Sequence, residues 1–85
     1  MAKFIADIDV MPLKALLDPQ GKVVSASMKN LGLPEIDNVR IGKHICLEIE
    51  APTKELATIK LDEACKKLLC NQIMEFYEFK LTLID

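Results

Sequence analysis

Residues 37–50 read DNVRIGKHICLEIE and decide how many strands this protein has. The odd positions are apolar on both sides of a glycine, and they are Val39, Ile41, Ile45, Leu47 and Ile49. Such a two-residue period is typical of a half-buried β-strand. Lys43 alone breaks the period, directly after Gly42. We therefore expect either one long strand with a bulge or bend at Gly42, or a tight turn there that separates two strands.

The two ends of the chain also have strand patterns. Residues 4–10 alternate, with apolar residues at the even positions and Asp7 and Asp9 between them. Residues 73–84 are rich in β-forming residues, but the apolar parity shifts between Phe76 and Phe79. The last strand is therefore expected either to carry a bulge or to be buried on both faces.

Two helices lie between the strands. The first is predicted from Pro19 to about Leu31. Asp18 can accept hydrogen bonds from the free amides of the first turn, and Gly32 can adopt the left-handed backbone conformation that ends a helix. Thr53 is the predicted cap of the second helix, whose apolar positions recur at helical spacing as far as Asn71, a plausible left-handed terminator. Both helices are thus marked at each end.

The predicted order is β-α-β-(β)-α-β in a single domain, residues 1–85, which indicates a small α+β sandwich. Two helices are expected to cover one face of an antiparallel-containing sheet. The other face is expected to be more apolar than a solvated surface, since it would carry Ile5, Arg40, His44, Cys46 and part of the last strand. Pairing of sheets between copies, into dimers or larger assemblies, would cover that face.

Composition narrows the functional class. The chain has 85 residues, 51% hydrophobic and 28% charged, with a formal net charge of −2. It is too short for a self-sufficient nucleotide-using enzyme, and it lacks the basic run that would follow a nucleic-acid backbone. It has no signal-peptide pattern and no apolar window that would span a membrane, so a cytoplasmic location is expected. The three cysteines are expected to be reduced.

No pattern in the sequence supports catalysis or a metal site. His44 and Cys46 point the same way on a strand, but two ligands do not make a metal site. Cys65 and Cys70 lie five apart on a helix and face different directions. His44 as a base and Cys46 as a nucleophile lack an orienting partner in the sequence.

Two small basic clusters indicate contact rather than catalysis. One is the turn Pro19–Lys22, where a lysine and free amides stand at a helix start. The other comprises Arg40, Gly42 and Lys43. The first is either a helix start with an exposed lysine or an anion site, and the second is either a solvated strand face or a docking surface for an acidic partner.

Several separated motifs resemble the PurS family, the small subunit of phosphoribosylformylglycinamidine synthase in the purine pathway. The resemblance covers nearly the whole chain, and the matching stretches are Leu17–Val24, Leu31–Gly32, Val39–Lys43, Lys67–Leu69, Asn71, Glu75 and Tyr77. His44 and Gln72 depart from the family pattern, where an aromatic residue and a proline are common.

The resemblance implies a non-catalytic subunit that forms a dimer or tetramer. It would bridge the ATP-using synthetase subunit (PurL) and the glutaminase subunit (PurQ) and assist ammonia transfer, while ATP and Mg would be bound by the synthetase. The family motifs place the candidate contact residues, and these are Asp18, Pro19, Gln20, Gly21, Lys22, Arg40, Gly42 and Lys43.

Two other functional classes remain open from the residues alone. One is a dimeric, ferredoxin-like regulatory module that binds a small molecule between its subunits. The other is a small stand-alone isomerase or metal-dependent enzyme, which would require turnover by this chain without partners.

Overall fold

A computed structural model describes residues 1–84. The elements are β1 (Ala2–Pro12), α1 (Pro19–Asn30), β2 (Lys43–Ala51), α2 (Lys54–Ala64) and β3 (Glu75–Leu83), and a π-helical turn, Cys65–Leu69, extends α2. The sheet has the order β2-β1-β3, and both pairings are antiparallel. Within residues 1–84, no helix is long and apolar enough to cross a membrane. The predicted α+β class is confirmed.

The core lies on one face of the sheet, beneath α2. The even positions of β1 are buried there, as their period predicts, and they are Phe4, Ala6, Ile8 and Val10. Ala6 pairs with Leu47 of β2 and Leu81 of β3, so one row of side chains crosses the sheet. Ala57, Leu61 and Cys65 cover these rows from α2 and its π-helical extension.

Residues 37–42 do not form a strand, which corrects both expectations for Gly42. The Val39 amide donates to Ser25 Oγ at 3.0 Å and the Ile41 amide donates to Asp18 Oδ2 at 2.9 Å. These amides are therefore bonded to the α1 region instead of a strand ladder. β2 begins at Lys43, so the described part of the chain contains three strands.

The end of the second helix and the last strand also differ from expectation. The Cys70 amide donates to the Cys65 carbonyl at 2.9 Å, which closes a π-helical turn, and Asn71 is not in the left-handed region. β3 pairs with β1 in an unbroken register without a bulge. The apolar parity shifts because Phe76 faces outward, whereas Tyr77 and Phe79 pack on the core.

The helix α1 adds no side chain to the core, which corrects the expectation that both helices cover one face of the sheet. Gly21 is its one buried residue, and Leu31 of its apolar stripe is 72% exposed. The described molecule is accordingly long and flat, with extents of 52 × 27 × 14 Å. The helical contribution to the core comes from α2 and its π-helical extension, through Ala57, Leu61 and Cys65.

The outer face of the sheet is more charged than expected. Arg40 lies off the sheet, and Asp7 and Asp9 stand in the centre of this face with mostly polar or charged cross-strand neighbours, although Asp7 also pairs with Cys46. Those neighbours include His44, Glu78 and Lys80. The exposed large apolar side chains are concentrated elsewhere, at the loops and element ends, and include Leu17, Leu31, Ile73 and Met74.

Candidate functional site

The carboxylate of Asp18 joins the two predicted basic clusters. Its Oδ1 accepts from the Gly21 amide at 3.0 Å and its Oδ2 accepts from the Ile41 amide at 2.9 Å. The first bond is the predicted helix cap; the second reaches across to the other motif. These two backbone hydrogen bonds, with the Arg40 charge nearby, lower the pKa of Asp18. Asp18 is therefore ionised and fixed at neutral pH.

Two glycines allow the 37–42 segment to approach α1 on one side and β1 on the other. A Cβ at Gly21 would overlap the carbonyl oxygen of Val39, and a Cβ at Gly42 would overlap the carbonyl oxygen of Val10. Gly21 therefore lets α1 contact the 37–42 segment, and Gly42 lets that segment contact β1. Each glycine has a structural reason that the sequence did not reveal, because both contacts are between distant segments.

Arg40 connects this junction to the loop after β1. Its guanidinium Nη2 donates to the Leu13 carbonyl oxygen at 2.6 Å. Its Nε lies 3.9 Å from Asp18 Oδ2, inside the junction and without a hydrogen-bond partner among the described residues. Arg40 is thus half-buried and ties three segments together, instead of standing on a solvated strand face.

A groove of about 810 Å³ opens beside this junction. We call it the α1 groove; its walls are residues 14–18, one face of α1 and residues 37–40. Lys14, Lys22, Lys29 and Arg40 line it, together with Leu16 and Leu17. It is the larger of two described cavities; the second, about 250 Å³, lies between the same leucines and the turn before β3.

The structure brings most of the predicted contact residues to this one place. Asp18, Gly21, Arg40 and Gly42 form the junction, and Pro19 and Gln20 form the first turn of α1 beside it. Lys22 follows on the groove wall, whereas Lys43 is the exposed first residue of β2. The sequence did not indicate two further residues of the junction. Ser25 accepts a hydrogen bond from the Val39 amide and the Leu13 carbonyl accepts one from Arg40, and no local sequence pattern marks either residue.

His44 belongs to a separate cluster on the outer face of the sheet. Its Nδ1 lies 2.7 Å from Asp9 Oδ1 and its Nε2 lies 3.3 Å from Asp7 Oδ1. The hydrogen bonds to Asp9 and Asp7 raise the pKa of His44. The sequence did not show these partners because they lie across a strand pairing. The cluster is exposed and outside both cavities, so nothing positions a substrate beside it.

The cysteine thiols are not tuned for nucleophilic chemistry. Desolvation raises the pKa of Cys46, and the neighbouring Asp7 charge raises it further. The pKa of Cys65 and that of Cys70 are raised by burial in the core. Within residues 1–84, no three metal-ligating side chains lie close enough together to hold a metal ion. The chemistry that the described residues offer is recognition through charge and apolar contact.

A hydrogen bond between side chains attaches α2 to β3. The Tyr77 hydroxyl donates to the Asp62 carboxylate, whose second oxygen lies 3.0 Å from Lys66 Nζ. The bond to Asp62 is the main cause that raises the pKa of Tyr77 to about 12, and the same bond lowers the pKa of Asp62. This contact is structural, since it lies remote from the α1 groove.

Comparison with known proteins gives a consistent match. The chain matches the family PurS, described as phosphoribosylformylglycinamidine (FGAM) synthase, over residues 5–83. A PurS subunit of this synthase from Synechocystis sp. is 39% identical over 71 residues, which cover 84% of this chain and 71% of the relative. The PurS subunit from Thermotoga maritima is 37% identical over 81 residues, 94% of this chain and 98% of the relative.

Solved structures agree with the sequence match. A chain in the structure of PurLQS from Thermotoga maritima superposes with a TM-score of 0.87 at 33% identity, covering 96% of this chain and 100% of that chain. Bacillus subtilis PurS gives a TM-score of 0.82 at 32% identity, covering 93% and 98%. This chain belongs to the PurS family of phosphoribosylformylglycinamidine synthase.

Proposed function

We propose that this chain is the bridging subunit of a phosphoribosylformylglycinamidine synthase in purine biosynthesis. In that complex, ammonia released from glutamine and energy from ATP convert the amide of formylglycinamide ribonucleotide to an amidine. The observation that carries the proposal is the likeness along almost the whole chain to a chain of the PurLQS structure. The partners are a synthetase subunit of the PurL type and a glutaminase subunit of the PurQ type.

The shape and surface of the chain suit contact with partners. The molecule is long and flat, and its described surface includes many exposed large apolar side chains. Among residues 1–84, β2 and β3 each have an outer edge that pairs with no other strand. Open edges and apolar surface favour association, so assembly with a second copy into a dimer or tetramer accompanies the bridging role.

The contact residues divide into two groups by what they touch. Asp18, Gly21 and Gly42 hold the junction in shape through the bonds and close approaches described above. Lys22 and Lys43 are exposed and carry charge, so we assign them to contact with the partners. Pro19 and Gln20 are exposed on the first turn of α1 and belong to the same surface, with Arg40 beside them.

The reaction itself belongs to the partner subunits. We assign ATP and Mg to the synthetase subunit and glutamine hydrolysis to the glutaminase subunit, because the small recognition surface of this chain serves to join them. The chain therefore needs no cofactor of its own. We also place the complex in the cytoplasm, where its phosphorylated substrate and ATP are available.

Reconstitution tests this function. Glutamine- and ATP-dependent amidine formation is measured with the purified synthetase and glutaminase subunits of the same organism, with and without this chain. We expect activity to depend on the chain and the chain alone to be inert. Unchanged activity without the chain would contradict the proposal. A ligand-dependent rise in the melting temperature of the isolated chain would then favour a small-molecule-binding module.

A further inference from the structure

The α1 groove carries an excess of positive charge that the chain itself does not neutralise. Lys14, Lys22, Lys29 and Arg40 line it, against Asp18 and Asp37. Both carboxylates accept hydrogen bonds from backbone amides. Asp18 accepts from Gly21 and Ile41, and Asp37 accepts from Asn38. Among residues 1–84, no carboxylate lies within 4.0 Å of the three lysine amino groups.

The lysines are spaced along the groove rather than gathered at one point. Lys22 and Lys29 are seven residues apart on α1, which places them about 10.5 Å apart along the helix axis and on one face. Ser25 and Ala26 lie between them as a floor of small side chains, and Lys14 stands on the opposite wall. An occupant with anionic groups spread over about two helical turns would meet all three.

Apolar side chains accompany the charges. Leu16 is 37% exposed and Leu17 is 66% exposed, and both line the groove and the adjoining smaller cavity. A small inorganic anion would use neither the leucines nor the length of the groove. A nucleic acid would find no aromatic side chain on its walls. A polypeptide with acidic and apolar side chains complements both features.

We propose that the α1 groove is the docking site for an acidic segment of a partner subunit. Its carboxylates pair with Lys14, Lys22 and Lys29, and an apolar side chain of the same segment packs on Leu16 and Leu17. This inference rests on the proposed bridging function and names the chemistry of the surface that performs it. The fixed Asp18–Arg40 junction keeps the groove walls in place before the partner arrives, which reduces the ordering cost of binding.

Charge reversal tests the proposal. The variant is Lys14→Glu/Lys22→Glu/Lys29→Glu, and the matched control is Lys54→Glu/Lys60→Glu/Lys80→Glu, three exposed lysines outside the groove that change the net charge by the same amount. Binding of the full chain to the purified synthetase and glutaminase subunits is measured by calorimetry at about 50 and 300 mM NaCl. Circular dichroism melting confirms that both variants are folded.

We expect the groove variant to bind about tenfold or more weakly at low salt and to lose most of the salt dependence of the wild type. The control is expected to stay within about twofold of the wild type. Equal weakening by both variants, or unchanged binding by the groove variant, would overturn the proposal while leaving the bridging function intact. A wild-type chain that binds neither subunit would overturn the bridging function, and this inference with it.

A second probe separates an acidic polypeptide from a small anion. The melting temperature of the wild type and of the groove variant is measured with inorganic phosphate at matched ionic strength. We expect no difference between their responses, because phosphate does not span the groove. A phosphate-induced rise in the wild type alone, with unchanged subunit binding by the variant, would show a small-anion site and overturn the proposal.

Discussion

Two regions of the molecule are stabilised by different interactions. One is the sheet packed against α2, and the other is the α1 lobe, which comprises residues 13–42. Every buried core side chain belongs to the strands, to α2 or to the residues that follow it. The α1 lobe buries one glycine of its helix and is held together internally by hydrogen bonds of Asp18, Ser25 and Arg40. The Leu13 amide donates to the Met74 carbonyl oxygen at 2.9 Å and so joins the lobe to the turn before β3. One region depends on burial and the other depends on directed polar contacts.

The difference affects what each region tolerates. The stabilisation from burial is a sum over many apolar atoms, so the free energy of unfolding falls in proportion to the buried atoms that a substitution removes. A hydrogen-bonded junction depends on single atoms at fixed distances, so one added methyl group at Gly21 forces two backbones apart. The α1 lobe is therefore suited to present a shaped surface while the sheet supplies most of the stability.

The largest expected effect is in the sheet region. Leu61 is 1% exposed and packs in the core, so Leu61→Ala is expected to lower the free energy of unfolding by about 2–5 kcal/mol. Ile59→Ala on the same helix is the control, since Ile59 is 65% exposed and its loss is expected to cost under about 0.5 kcal/mol. Urea denaturation followed by circular dichroism measures both. Equal losses would show that α2 does not form the core.

A smaller and more local effect is expected in the α1 lobe. Gly21→Ala places a Cβ against the Val39 carbonyl, and relieving such an overlap costs about 1–3 kcal/mol. We expect faster hydrogen exchange at the Val39 and Ile41 amides, with exchange at the core strand amides little changed. Ser27→Ala, at an exposed position of α1, is the control. Uniformly faster exchange across the sheet would contradict the separation of the two regions.

The smallest expected effect concerns the outer face of the sheet, where His44 makes directed polar contacts that are exposed to solvent. A raised pKa means that protonated His44 stabilises the fold. That contribution is complete below the unfolded pKa of about 6.5 and disappears as pH rises through the higher folded value. Relative to His44→Gln, the wild type should melt slightly higher at about pH 5.5 and equally at about pH 9.

Melting curves across that pH range measure this difference, and Asp9→Asn provides a second variant that removes the closest partner. His44 is the one histidine in the chain, so no other imidazole contributes. A melting advantage of the wild type that grows with rising pH would contradict the assignment, because it would require a lowered pKa.

Local signals in the sequence predicted the parts of the fold that depend on neighbouring residues. Asp18 caps α1, Gly32 ends it at a φ of 82°, and Thr53 caps α2 through the Leu56 amide. β1 follows its alternation. Each of these depends on hydrogen bonds or side-chain directions within a few positions, so a single sequence contains the information.

The candidate site was predictable as two motifs but not as one junction. The sequence indicated that residues 18–22 and 40–43 carry contact chemistry. It did not show that the Ile41 amide bonds to Asp18 or that Arg40 bonds to Leu13, which lie 23 and 27 positions apart. Nor did it show that His44 contacts Asp9 and Asp7, which lie 35 and 37 positions away in the chain.

The sequence by itself determined the two helix starts, the strand β1 and the face of β1 that is buried, because these follow from local capping and from the two-residue period of a strand. Only the tertiary structure decided that residues 39–41 bond to α1 instead of forming a strand, and that α1 lies outside the core. The physical reason is competition: a backbone amide takes the partner that the assembled chain brings closest, and alternating apolar residues do not specify which partner that is.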